Sequence, residues 1–274
     1  MPDKVFDQVF KTRSTTSLIY ALAWIAGIFI SPWLFLLTLS IAYFICSSEF
    51  HRLAKSDLPI TYTVIGWLAV AFVAGDQLQS EHSMPFIPEI LCLIMLVGGM
   101  GHLFFPSHME KTWPLKNFYH YSAIGLLAFA LVPFPNGFAS FTPSTAFILL
   151  ALIWANDSFA YLAGRRWGTR PLSLKLSPKK TIEGTIGGAT GSIATSLLAV
   201  LVFDNLTFSK AITAAIIVSI FGPMGDLFES KIKREAGVKD SGNWLPGHGG
   251  LLDRLDSLLW VAPAYYLAVR YFFT

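Results

Sequence analysis

The sequence is short of charge: only 14% of its 274 residues are Asp, Glu, Lys or Arg, against roughly 25% in an ordinary soluble domain. With 54% of the residues hydrophobic, a soluble chain of this length would lack the polar surface to stay dispersed. Cysteine is nearly missing too. Cys46 and Cys92 both sit inside apolar runs with no partner at metal-ligand spacing, which excludes a disulfide framework and a zinc site. There is no Walker-type loop, nucleophile elbow or zinc-protease signature, and no low-complexity tail or internal repeat.

What fills the chain instead is sequence suited to hydrocarbon. A bilayer core of about 30 Å needs about 20 helical residues, and apolar runs approaching that length recur at 17–30, 33–47, 60–79, 86–105, 119–134, 143–164, 184–203, 209–228 and 251–273. This pattern predicts an all-α, polytopic integral membrane protein of about nine transmembrane helices. It is expected to form one membrane-embedded domain over 1–274, with N-terminal spans in approximately 1–140 and C-terminal spans and loops in 141–274. The first two runs are short and separated by Ser31-Pro32, which favours a tight helical hairpin; fused, they would lower the count to eight. Lys4, Lys11 and Arg13 before the first run resemble the start of a secretory signal, but a second run follows at once and no small-residue cleavage pattern intervenes. The first run reads as a retained span.

The net charge of +3 says less than where the basic residues lie. Lys4, Lys11 and Arg13 precede the first span, and Arg52 with Lys55, and Lys111 with Lys116, sit in two short loops. Arg165, Arg166, Arg170, Lys175, Lys179 and Lys180 follow the sixth span, and Lys231, Lys233, Arg234 and Lys239 follow the eighth. The alternate loops near Pro32, Glu81, Asn136 and Asn205 hold none apart from Lys210 at a span edge. By the positive-inside rule the N-terminus and both large basic loops are cytosolic, in the cell's inner (plasma) membrane. No nucleic-acid partner is expected.

Acids inside hydrocarbon cost about 2.5 to 3.5 kcal/mol each on insertion scales. Asp76 and Glu89 lie near outer span ends, where headgroups or water would solvate them. Asp157, Asp226, Glu229, Asp253 and Asp256 lie at the other ends, beside the basic loops. The densest patch is GDLFESKIKREAGVKDSGNWLPGHGGLLDRLDS, Gly225 to Ser257. Helical spacing puts Asp226, Glu229 and Ser230 on one side of the eighth span, and Asp253 with Asp256 at the start of the ninth. All-oxygen donors without a His or Cys cluster favour a hard cation such as Mg²⁺. Lys231, Lys233, Arg234, Lys239 and Arg254 supply charge for phosphate oxygens. The glycines of Pro246-Gly247-His248-Gly249-Gly250 would let amides approach a phosphate before a helix N-terminus, though a plain turn accounts for them as well.

This run resembles the C-terminal motif of the phosphatidate cytidylyltransferases, the CDP-diacylglycerol synthases. Ser230, Lys233-Arg234, Lys239-Asp240-Ser241-Gly242, Pro246 to Gly250 and Asp253 to Asp256 all match the family's pattern. A second block, Asn156-Asp157-Ser158 with Ser177-Pro178-Lys179-Lys180-Thr181 and Glu183-Gly184, resembles another family segment. The likeness covers about the last 45% of the chain. It implies Mg²⁺-dependent transfer from CTP to phosphatidate, with Asp226 and Asp253 as principal metal ligands and Asp256, Glu229 and Asp157 as second choices. It further implies phosphate contacts from Lys233, Arg234 and Arg254, and substrate binding by Asp157, Lys179, Lys180, Glu183, Ser230, Lys239, Asp240, His248, Gly249 and Gly250.

Three other functions stay open at this point: a CTP-dependent lipid kinase, another CTP-using transferase acting on a different membrane lipid, and an ion-coupled transporter whose buried acids bind the coupling ion. A CDP-alcohol phosphotransferase would need an Asp-Gly-x-x-Ala-Arg motif that the chain lacks. Gly184-x-x-x-Gly188 and Gly187-x-x-x-Gly191 permit close helix packing or a homodimer contact. Trp33 and Tyr265 read as interfacial anchors, and His51 and His102 as interfacial or structural residues.

Overall fold

Proline and hydroxyl residues mark where several helices begin. The computed structural model describes residues 2–54, 60–79, 86–104, 113–204, 206–245 and 249–272. Among them are nine α-helices: α1 (Pro2–Ile30), α2 (Pro32–Ala54), α3 (Ile60–Gln77), α4 (Ile87–Phe104), α5 (Trp113–Leu131), α6 (Pro143–Trp167), α7 (Ile182–Val202), α8 (Phe208–Glu235) and α9 (Leu252–Phe272). Ser31 breaks α1 from α2, and its hydroxyl accepts from Leu34 N at 3.1 Å. The pair packs as the expected hairpin, with Gly27 set close against Thr38. Thr181 caps α7 by accepting from Gly184 N at 3.1 Å. Thr207 does the same for Lys210 N on α8, satisfying amides that no helical carbonyl can reach.

The chain is an all-α polytopic membrane protein. Among the described residues, five helical stretches are long and apolar enough to cross a bilayer: Pro32–Leu53, Ile87–Phe104, Pro143–Trp167, Ile182–Val202 and Phe208–Glu235. Three apolar stretches are shorter, Thr15–Ile30, Thr63–Gln77 and Tyr121–Leu131, and α9 carries Asp253, Arg254, Asp256 and Arg270 within its length.

Two differences from the hydropathy boundaries matter for function. The eighth run seemed to end at Phe228, but α8 continues through Pro223 to Glu235, so Lys231, Lys233 and Arg234 sit on helix and not in loop. The basic segment after α6 folds into an antiparallel hairpin, β1 (Pro171–Ser173) with β2 (Ser177–Thr181).

Helices α6 and α7 approach so closely that Cβ atoms added at Gly184 and Gly188 would meet the carbonyl oxygens of Ala160 and Asn156 at 2.9 and 2.8 Å. Both glycine pairs of the α7 motif therefore pack within the chain, with Gly187 and Gly191 against Ala163 and Phe159. Rings fill the space between α1, α2 and α5, with Trp24 and Phe35 edge-on to Phe129 at 5.8 and 5.6 Å. Phe228 of α8 lies among Trp260, Tyr121 and His102.

Several residues expected at the membrane boundary are interior. Asp76 and Glu89 are buried: Asp76 accepts from Gln77, and Glu89 accepts from Tyr266 Oη and pairs with Arg270 Nε, both at 3.3 Å. Within the bundle, Glu89 thus has a cationic partner and Asp76 an amide one. Tyr265 is also buried, whereas Trp33 is exposed as an anchor would be. His102 is buried and lies 3.4 Å from Glu235, and His51 bonds Thr63 across α2 and α3.

Candidate active site

The C-terminal ends of α2, α6 and α8 and the N-terminal ends of α7 and α9 meet at one end of the bundle. Gly225 allows the closest of these approaches: a Cβ there would collide with the carbonyl of Asp256. The backbones of α8 and α9 consequently touch where their carboxylates project. Asp226 and Asp256 are thereby set side by side, and two neighbouring carboxyls share either a proton or a cation. Lys180, delivered by β2, forms an ion pair with Asp226.

Asp253 sits in a different setting. Its Oδ1 takes Lys233 Nζ at 2.7 Å, while Oδ2 accepts from Ser241 N, Ser241 Oγ and Gly250 N at 3.0, 2.9 and 2.8 Å. Lys233 also donates to Glu229 Oε2 at 2.6 Å, four residues back on α8. Lys233 thus ties Glu229 to Asp253, and the other oxygen of Glu229, Oε1, is buried with no hydrogen-bond partner.

Glu49 is a site residue that sequence reasoning missed. It is fully buried at the end of α2. Its carboxylate accepts from Leu251 N at 2.9 Å, Leu252 N at 2.8 Å and Ser241 Oγ at 3.2 Å. The glycine-rich turn was expected to offer open amides to a phosphate. Pro246 and Gly247 lie outside the described residues; the amides of Gly250, Leu251 and Leu252 are held by Asp253 and Glu49, so the anion at these three amides is internal. Side chains at Gly242 or Gly250 would run into Glu49, and Gly249 takes φ +85°, where other residues are strained. An acid in an otherwise apolar run, beside Ser47 and Ser48, was the available signal.

Two adjoining chambers flank the carboxylates and share Asp157. One, about 460 Å³, lies between α6, α8 and the hairpin; Asp157, Asp226, Lys179, Lys180 and Arg165 line it. The other, about 400 Å³, lies between α1, α6 and α9; Asp157, Asp253, Arg254, Asp256 and Tyr20 line it. The structure therefore brings together Asp157, Lys179, Lys180, Asp226, Asp253, Arg254 and Asp256. Other expected residues stand apart. Glu183 accepts from the amides of Thr169 and Arg170 and from Arg170 Nε, closing the chain around the base of the hairpin. Arg234 is exposed and donates to Val238 O. Lys239 and Asp240 are exposed, Ser230 is half-buried, and His248 lies outside the described residues.

Among the described residues no three His, Cys, Asp or Glu side chains form a ready cage for a metal. Mg²⁺ does not need one, because it commonly binds through one or two carboxylates together with phosphate and water. The donors are all oxygen, the Asp226–Asp256 contact accommodates a cation, and Glu229 Oε1 lacks a partner. The residues fit a hard divalent ion.

A helical membrane bundle here faces carboxylates with ammonium groups across two adjoining polar chambers. The chain belongs to the cytidylyltransferase family, whose pattern matches residues 11–272. It is 40% identical over 171 residues to the phosphatidate cytidylyltransferase of Thermotoga maritima, covering 60% of this chain and 62% of that protein. It is 43% identical over 211 residues to that of Staphylococcus haemolyticus, covering 76% and 75%. With that of Brucella abortus it shares 31% identity over 263 residues, 94% and 92% of the two chains.

Proposed function

We propose that the chain transfers the cytidylyl group of CTP to phosphatidate, giving CDP-diacylglycerol and pyrophosphate for phospholipid synthesis. The observation that carries this reading is the meeting of the α8 and α9 carboxylates with the basic hairpin across adjoining polar chambers. A phosphatidate oxygen attacks the α-phosphorus of CTP, and the bond from that phosphorus to the bridging oxygen of the β-phosphate breaks. Phosphatidate is already largely ionised at neutral pH, so no strong base and no covalent intermediate are required.

The work of the protein is then positioning and charge neutralisation. Lys179 and Lys180 hold phosphate oxygens in the hairpin chamber, and Arg254 does so in the other. Lys233 acts through Glu229 and Asp253, orienting the carboxylates. Asp226 and Asp253 would hold Mg²⁺, with Asp256 next to Asp226 as the further ligand. The ion would neutralise charge developing on the transferred phosphate.

The loop charges orient this end, and the N-terminus with it, to the cytosol at the inner membrane, where CTP is present. Any homodimer would use a face other than the α7 glycines, which α6 occupies. The test is purified protein in detergent with labelled CTP, phosphatidate and Mg²⁺. A CDP-lipid and pyrophosphate are expected. CDP with a newly phosphorylated lipid would mean a kinase, and no turnover would overturn the enzyme reading.

A further inference from the structure

Lys180 has two anionic partners to serve with one ammonium group. In the structure it is ion-paired with Asp226 Oδ2, while the transferase reading asks it to hold phosphate oxygens in the hairpin chamber. Asp226 is under the same double demand, because the carboxylate that takes Lys180 is also the one offered to Mg²⁺.

The main chain around Lys180 is fixed. Strand β2 pairs with β1, with Thr181 opposite Pro171, and Ile182 N donates to Arg170 O at 2.9 Å. The Thr181 hydroxyl caps α7, and Glu183 clasps Thr169 and Arg170 below it. Movement is left to the side chain, a flexible four-carbon stem with a point charge at its end. There is room for it to move. The side chains of Lys180 and Asp226 are 30% and 32% exposed, and both line the chamber of about 460 Å³ together with Asp157, Lys179 and Arg165. A triphosphate entering there would draw the ammonium off the carboxylate. A divalent ion arriving alone would meet the ammonium still in place, and like charges at one carboxylate oppose each other.

We propose that Lys180 is a tethered competitor for the divalent-ion site, holding Asp226 until the phosphates of CTP take its ammonium. Ion and nucleotide then bind better together than either does alone, and by linkage each favours the other equally. The proposal rests on the reading that Asp226 is an ion ligand and adds a residue that opposes the ion until nucleotide arrives.

The test uses Mn²⁺ as a hard-cation probe. Its binding to the purified full chain in neutral detergent, without CTP or lipid, is read by electron paramagnetic resonance. Lys180→Gln should bind Mn²⁺ about tenfold more tightly than the wild type, and Lys180→Met, neutral and of similar length, should do the same. Lys180→Arg should stay near the wild type. Lys179→Gln removes an equal charge from the same chamber and should change the affinity less than about twofold, because charges out of contact are screened. CTP affinity, measured by equilibrium dialysis with EDTA, should fall in Lys180→Gln. Unchanged or weaker Mn²⁺ binding in both neutral variants would overturn the proposal. So would undiminished CTP binding, or an equal gain in Lys179→Gln, which would mark a general field effect. Asp226→Asn in the Lys180→Gln background separates the two levels. Loss of Mn²⁺ binding there supports Asp226 as an ion ligand whatever Lys180 does, and its retention would overturn that reading and the proposal with it.

Discussion

Helices α6 to α9 and helices α1, α2 and α5 are packed by different means. In the first group, backbone meets backbone: Gly184 against Ala160, Gly188 against Asn156, Gly225 against Asp256. In the second, rings interdigitate, Trp24 and Phe35 against Phe129 and Tyr20 against Trp24. A backbone contact leaves almost no freedom, because neither partner can change rotamer, whereas rings exchange one well-packed arrangement for another at modest cost. The chemistry sits where the tolerance is smallest. Glu49 is the exception, a residue from the ring-packed group placed against the catalytic turn.

Five substitutions test this contrast. Asp226→Asn and Asp253→Asn should have the largest effect, lowering turnover about 10²- to 10³-fold or more while the protein stays folded and inserted. The labelled-CTP assay beside size-exclusion chromatography checks both; near-normal turnover in either would remove it from the metal site. Glu49→Gln comes next. Its amide nitrogen cannot accept a hydrogen bond, so at least one α9 amide loses its partner, and we expect about 1–3 kcal/mol of lost stability with turnover down about tenfold. Unchanged activity would reduce Glu49 to packing alone.

Gly225→Ala should follow. Its Cβ meets the Asp256 carbonyl, which is backbone and cannot swing aside, so α8 and α9 must separate and turnover should fall several-fold. If kcat is retained, the carboxylates tolerate more movement than the close approach implies. Phe129→Leu should be the mildest, lowering the melting temperature by the equivalent of about 1 kcal/mol and leaving turnover per folded molecule unchanged. A kcat loss larger than that of Gly225→Ala would erase the distinction between the two groups.

Much of this was legible in the sequence. The nine apolar runs recur as nine helices among the described residues, and the break at Ser31-Pro32 is present. The resemblance in the Gly225–Ser257 stretch led to the family. Three features were hidden for physical reasons. The last turns of α8 read as loop because Lys231, Lys233 and Arg234 are charged, yet Lys233 is folded against Glu229 and Asp253. The hairpin strand Ser177–Thr181 has no alternation of apolar and polar residues to betray it. The role of Glu49 depends on partners about 200 positions away, a separation at which local pattern carries no information.

Glu49 also bears on how the protein is made. Helix α2 enters the membrane long before α9 is synthesised, so this carboxylate passes through that interval without the amides that later hold it. An acid in hydrocarbon costs on the order of 3 kcal/mol, and that penalty is relieved only when the last helix docks. Docking of α9 and closure of this end of the bundle are thereby a single event, which leaves a chain that has not yet made α9 without a formed site.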